Sequence, residues 1–166
     1  LIKLVEVVAY PTASFTCSPF YPQVSKPTIF NASASTAGSG VIASYKWDFG
    51  DGNVTAVTDA TIIHVFKMYD SYAVSLTVTN SKGLSSSTSR IVYVYGEPVA
   101  DFTWEPMIPL VGQGVTFNAS TSQPHGGSIT DCKYLWDFGD GTPPVLVRYN
   151  PLSTHQYLTY GQFNVT

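Results

Sequence analysis

The sequence predicts an all-β protein built as two tandem β-sandwiches, and three observations carry the prediction. The octapeptide "YKWDFGDG" at 45–52 returns as "YLWDFGDG" at 134–141. Apolar residues recur with a period of two, so half-buried strands are expected and no helix. Clusters of Gly, Pro, Asn and Ser interrupt these runs at roughly ten-residue intervals, as in sandwich folds.

The elements follow in order along the chain. Residues 3–15, "KLVEVVAYPTASF", align with 90–102, "RIVYVYGEPVADF", at an offset of 87. Residues 1–8 therefore read as the last strand of a preceding repeat, or as a donor strand; Val5 and Val7 match Val92 and Val94, and Glu6 faces outward like Tyr93. Next, "ASFTCSPFYPQVSKPTIFNAS" (13–33) pairs with "ADFTWEPMIPLVGQGVTFNAS" (100–120) at the same offset. Tyr45, Trp47 and Phe49 alternate along a strand, mirrored by Tyr134, Trp136 and Phe138. The glycines Gly50 and Gly52, with Asp51 between them, supply the positive φ angles of a tight turn, as do Gly139, Asp140 and Gly141. Trp47 and Trp136 are expected to anchor the two cores. The offset is 89 at the tryptophans and 91 from His64 to His155, so the second copy gains residues only around loops. In "YAVSLTVT" (72–79), Tyr72, Val74, Leu76 and Val78 share one face. "YGQFNVT" (160–166) aligns with "YDSYAVS" (69–75). Beyond it, copy one has a strand and a half without counterpart in copy two.

The expected domains are thus 9–96 and 97–166, the second incomplete at its C-terminal side. A sandwich short of a strand and a half leaves backbone groups and core open. Two explanations stand: the sequence is a window on a longer tandem array, or another subunit adds the strand. The short linker near "YGEPVADF", with Pro98, leads to the expectation of a stiff two-domain rod.

These residues carry a resemblance to the PKD domain family, immunoglobulin-like modules first named from polycystin. The family pattern resembles Phe30–Ser33, Ile42, Tyr45–Gly52, His64, Phe66 and the strand Tyr72, Val74, Leu76, Val78. In copy two it resembles Phe117–Ser120, Ile129, Tyr134–Gly141, His155, Tyr157, Gly161, Phe163 and Val165. Asp70 departs from it, standing where the family favours Gly. The resemblance implies tandem immunoglobulin-like sandwiches. It also implies a setting: such modules occur in cell-surface proteins, archaeal surface layers among them, and as spacers in secreted bacterial proteases and chitinases.

Composition narrows the function. Only 11% of residues are charged, against roughly 25% in ordinary soluble domains. The net charge is −3 and the eight basic residues are scattered, so neither nucleic acid nor an acidic membrane surface is an expected partner. No apolar stretch approaches the roughly 20 residues that cross a bilayer, and no signal peptide is recognisable.

No catalytic constellation is legible. "DFG" lacks the other motifs of a kinase, and neither His64 nor His155 is accompanied by a nucleophile-elbow pattern. Both histidines read as framework residues, and His125 in its Gly-rich loop has no legible role. The pairs Asp48/Asp51 and Asp137/Asp140 lack the alternating-ligand spacing of an EF-hand, so no cofactor is expected, with calcium the open alternative. Cys17 and Cys132 break the repeat. An intramolecular disulfide, an intersubunit one and free thiols all remain open. Sequons at Asn31, Asn53, Asn118 and Asn164 predict N-linked glycans. Asn31 and Asn118 also suit a turn cap, whereas Asn53 and Asn164 are expected to be accessible. Trp104, where copy one has Cys17, is the candidate ligand contact.

The expected function is a non-catalytic structural protein of the cell surface. Its modules would self-associate, by β-strand addition among other routes, into a filament, stalk or surface layer. The alternative is an accessory carbohydrate- or collagen-binding or spacer module of a secreted hydrolase.

Overall fold

The computed structural model describes residues 2–166. The chain divides into two compact units, 1–96 and 97–166.

In the first unit the strands are β1 (Thr16–Ser18), β2 (Thr28–Asn31), β3 (Ile42–Asp48), β4 (Val54–Val57), β5 (Thr61–His64), β6 (Asp70–Asn80) and β7 (Ser85–Val94). They form two antiparallel sheets, ordered β1-β2-β5 and β4-β3-β6-β7. Alternation sets which residues face inward: Val74, Leu76 and Val78 of β6 are fully buried, and Val92 and Val94 of β7 nearly so. Between the sheets Phe15, Phe30, Trp47, Phe49 and Phe66 form the aromatic centre of the core. Phe15 meets Trp47 edge-on at 5.2 Å, while Trp47 and Phe49 lie parallel at 6.2 Å. Each such ring, fully buried, stabilises the fold by about 1.5–3 kcal/mol.

The second unit has β8 (Thr103–Glu105), β9 (Gly114–Asn118), β10 (Lys133–Trp136), β11 (Val145–Arg148) and β12 (Leu152–Gln156). Its sheets are β12-β9-β8 and β10-β11. The only helical turn among the described residues is a 3₁₀ turn at Ile129–Asp131, where copy two carries its insertion. The core repeats ring for ring: Phe102 meets Trp136 edge-on at 5.2 Å, and Trp136 lies parallel to Phe138 at 6.3 Å. Residues 160–166 form no full strand. Thr166 and Asp137 nevertheless exchange backbone bonds of 2.8 and 2.9 Å, at the positions where Ser75 faces Asp48 in the first unit.

Matching reciprocal bonds tie down the start of each unit. Thr12 pairs with Thr36 and Val99 with Gln123, all at 2.8–3.0 Å. Asn80, almost fully buried, accepts from the Lys82 and Leu84 amides and donates to the Ala37 and Ala9 carbonyls. The chain is thereby clamped from Ala9 onward. Residues 2–8, expected to have strand character, belong to no ladder and expose Ile2, Leu4, Val5 and Val7 almost fully. A strand exists only with a hydrogen-bonding partner alongside, and the described part of this segment has none within the first unit.

Candidate binding surface

The repeated turn is a closely hydrogen-bonded polar feature of both units. Asp48 Oδ1 accepts from the Gly50 amide at 2.9 Å, and Asp51 Oδ1 from the Asn53 amide at 3.0 Å. This leaves Asp51 Oδ2 to accept from His64 Nε2 at 2.8 Å. The His64 ring is stacked on Phe49 at 3.9 Å and meets Phe66 edge-on at 4.6 Å. Because Asp51 follows β3 and His64 ends β5, the pair fastens one sheet to the other across the end of the sandwich. Copy two repeats it: Asp137 accepts from Gly139 at 3.0 Å, and Asp140 from His155 at 2.7 Å. There the Thr142 amide and hydroxyl add bonds of 3.1 and 2.6 Å to Asp140. The Thr142 hydroxyl first, and His155 second, hold the Asp140 carboxyl down at about 2. The carboxylates of both turns are thus engaged with backbone and histidine. Among the described residues no three His, Cys, Asp or Glu side chains gather as metal ligands would.

The other candidate residues are dispersed. Trp47 and Trp136 are buried in their cores, and their indole N–H groups have no hydrogen-bond partner among the described residues. Asn31 and Asn118 are half-buried, and each accepts from an amide two residues on, Ser33 at 2.8 Å and Ser120 at 2.9 Å. Asn53 and Asn164 are exposed. Cys17 and Cys132 are free thiols. Burial pushes the Cys17 thiol up, with Arg90 partly opposing it, and Cys132 donates to the Ser128 carbonyl at 3.6 Å. His125 Nδ1 lies 2.8 Å from the Glu97 carbonyl.

Trp104 is 41% exposed and pairs in register with Phe117 of β9. It occupies the place of Cys17, which packs against the first core, and it lines a cavity of about 1060 Å³ with Phe102, Phe117, Tyr157, Phe163 and Val165. Trp104 therefore belongs to the inner face of its sandwich.

The structure also brings together three aromatics that sequence reasoning did not single out. In the "PFYP" loop after β1, Phe20 and Tyr21 are 78% and 63% exposed. Their rings meet at 4.9 Å and 88°, and Tyr21 meets Tyr95 at 5.7 Å and 82°. The loop is held from beneath. Tyr95 donates its amide to the Pro22 carbonyl and accepts from the Val24 amide, both at 2.9 Å, while the Ser25 amide donates to the Phe66 carbonyl. Pro22 itself is buried. The rings thus stand in water on a fixed base, where clustered apolar groups ordinarily mark a contact site. Copy two has Met107 and Ile108 at the same positions, so the fold does not demand aromatics there. That difference between otherwise parallel copies was the signal available in the sequence.

Comparison with known proteins gives the family. Two models described as PKD domain match the chain, at residues 9–94 and 103–166. A microbial collagenase of Vibrio alginolyticus is 36% identical over 72 residues, 43% of this chain and 9% of that protein. The pre-pro-metalloprotease PrtV of Vibrio cholerae is 29% identical over 138 residues, 83% of this chain and 14% of that protein. The chain therefore spans a small part of the length of these relatives. Among solved structures, one reported for carbohydrate-binding modules of the β-sandwich superfamily has a TM-score of 0.59 at 20% identity. The match covers 97% of this chain and 84% of that one and shows a shared fold alone. With a family model spanning residues 9–94 and a second spanning 103–166, and with both cores built on the same rings, this chain belongs to the PKD domain family.

Proposed function

We propose that the chain is a non-catalytic accessory module of a secreted hydrolase, one that holds an extended polymer, collagen or polysaccharide, for a catalytic domain elsewhere. The observation that carries this reading is the pair of exposed rings Phe20 and Tyr21 on their fixed loop, with the half-buried Tyr95 against Tyr21. Successive rings are nearly perpendicular, so the cluster is no flat platform for a crystalline surface. It offers ring faces in different directions, suited to gripping a single chain. Aromatic side chains with few rotatable bonds give large contact area at low entropic cost.

Similarity to stretches of proteins named as a collagenase and a pre-pro-metalloprotease supports the accessory reading over a primary role as a self-assembling filament. It also supports an extracellular location. N-linked glycans at Asn53 and Asn164 are compatible with this role, since both side chains are exposed and lie away from the "PFYP" loop in sequence.

The test is co-sedimentation of the chain with insoluble collagen and with insoluble polysaccharides, parent against Phe20→Ala/Tyr21→Ala. Exposed residues of this kind leave the fold intact, so the variant should lose about tenfold or more in affinity for one polymer, the loss of a small aromatic hot spot. Equal retention of parent and variant on every polymer would remove the cluster from the function.

A further inference from the structure

We propose that the site at Phe20 and Tyr21 continues along the outer face of the β1-β2-β5 sheet, and that its ligand is a proline-rich chain in the polyproline II form. The inference rests on the polymer-holding reading above and names the class of polymer.

Strand alternation builds the continuation. Thr28 and Phe30 of β2 are fully buried, so Ile29 between them faces water, 46% exposed. On β5, His64 is buried, and Phe66 just beyond the strand fully so, which turns Ile63 and Val65 outward, 63% and 41% exposed. Ile29 stands in register between Ser18 of β1 and Ile63 of β5. The aromatic loop leaves the sheet at Ser18 and returns to it where the Ser25 amide donates to the Phe66 carbonyl at 2.9 Å. Ile29 thus adjoins one anchor of the loop and Val65 the other. The neighbouring outward row, Thr16, Asn31 and Thr61, carries no charge either.

Copy two shows that the fold does not require this apolar face. There Thr116 and Thr154 pair in register as Ile29 and Ile63 do, and Gln156 takes the place of Val65. All three are exposed. The solvated polar face of copy two is therefore aliphatic in copy one, in the same unit that carries Phe20 and Tyr21 instead of Met107 and Ile108. These departures fall on one continuous surface, and contiguous exposed apolar groups mark a contact site.

The chemistry of the surface selects the polymer. A sugar ring carries hydroxyls around its edge, and an aliphatic track would strip their water without replacing the hydrogen bonds. A β-strand ligand needs a free backbone edge, whereas β2 is paired on both sides. A polyproline II chain needs neither. Its backbone stays solvated without internal bonds, and proline has no N–H to satisfy. Such chains dock on aromatic-lined slots, and the perpendicular pairs Phe20–Tyr21 and Tyr21–Tyr95 form slots of that kind. The next apolar residues of the chain then lie on Ile29, Ile63 and Val65.

Binding of the 166-residue chain to immobilised gelatin and to polyproline, with insoluble collagen, chitin and cellulose in parallel, tests the proposal. The parent is expected on gelatin and polyproline. Ile29→Thr/Ile63→Thr/Val65→Gln, which installs the residues copy two already tolerates, should lose about tenfold in affinity for both with an unchanged urea midpoint. Retention on gelatin alone assigns single chains, and retention on collagen as well adds the triple helix; either supports the proposal. Undiminished gelatin binding by the triple variant would overturn it, as would a parent that binds chitin or cellulose and neither proline-rich probe, a result that leaves the accessory-module reading standing. A parent held by no polymer would remove both.

Discussion

Asp140 shows how one side chain can serve a turn and a sandwich together. Its Oδ1 accepts from the Thr142 amide and hydroxyl, and its Oδ2 from His155. Led by the Thr142 hydroxyl, these bonds lower its pKa from 3.8 to about 2. A carboxyl whose folded pKa is depressed binds fewer protons in the native state than in the unfolded one. Its stabilising contribution is therefore complete above 3.8 and is lost as pH falls towards about 2. Urea unfolding of the second unit, followed over that pH interval, should show a steeper loss of stability in the parent than in Thr142→Val. An identical pH slope would mean that the hydroxyl does not set the carboxyl's acidity. At this scale the sequence showed the turn itself: Gly50, Gly52, Gly139 and Gly141 were expected at positive φ, and are. The histidine partner was not legible, because residues 13 and 15 positions away meet the turn only once two sheets face each other.

At the scale of elements, the two turn glycines of copy one look alike in sequence and differ in space. Both have positive φ, +75° at Gly50 and +89° at Gly52. A Cβ on Gly52 would meet nothing within 4 Å, whereas one on Gly50 would lie 3.0 Å from the Ala73 carbonyl oxygen on β6. Gly52→Ala should therefore cost about 1 kcal/mol, from backbone conformation alone. Gly50→Ala should cost roughly 2 kcal/mol or more, since β3 and β6 must also separate. Urea midpoints of the two variants check this, and equal midpoints would show that the turn gives way without disturbing the sheet. The strands themselves were readable from alternation. The neighbours of Trp104 were not, because its register against Phe117 and its approach to Phe102 are set only when β8 pairs with β9.

For the whole molecule, the contrast is between two cores of unequal size. Among the described residues twelve buried apolar side chains form the first core and six the second. Stability scales with apolar area removed from water, and elements with few buried apolar contacts exchange their amide protons readily. Amides of 97–166 are thus expected to exchange faster than those of 9–96, with β6 and β7 the most protected elements in the chain. Uniform protection across both units would show that the second core is stabilised as fully as the first.

What the sequence determined by itself is whatever repeats or alternates. The doubled octapeptide and an offset that begins at 87 and grows to 91 only around loops gave two units, the period of two gave their strands, and the glycines gave the turns. These are local or self-comparing signals, carried by dihedral preference and by which face of a strand is apolar. Tertiary structure alone decided what meets across distance: His64 on Asp51, Tyr95 against Tyr21, Trp104 beside Phe102, and Phe20 left in water. The physical reason is that alternation assigns a side chain to one of two faces but does not say which sheet packs there. Only the assembled sandwich determines whether a ring is covered by a neighbour or left in water to bind something else.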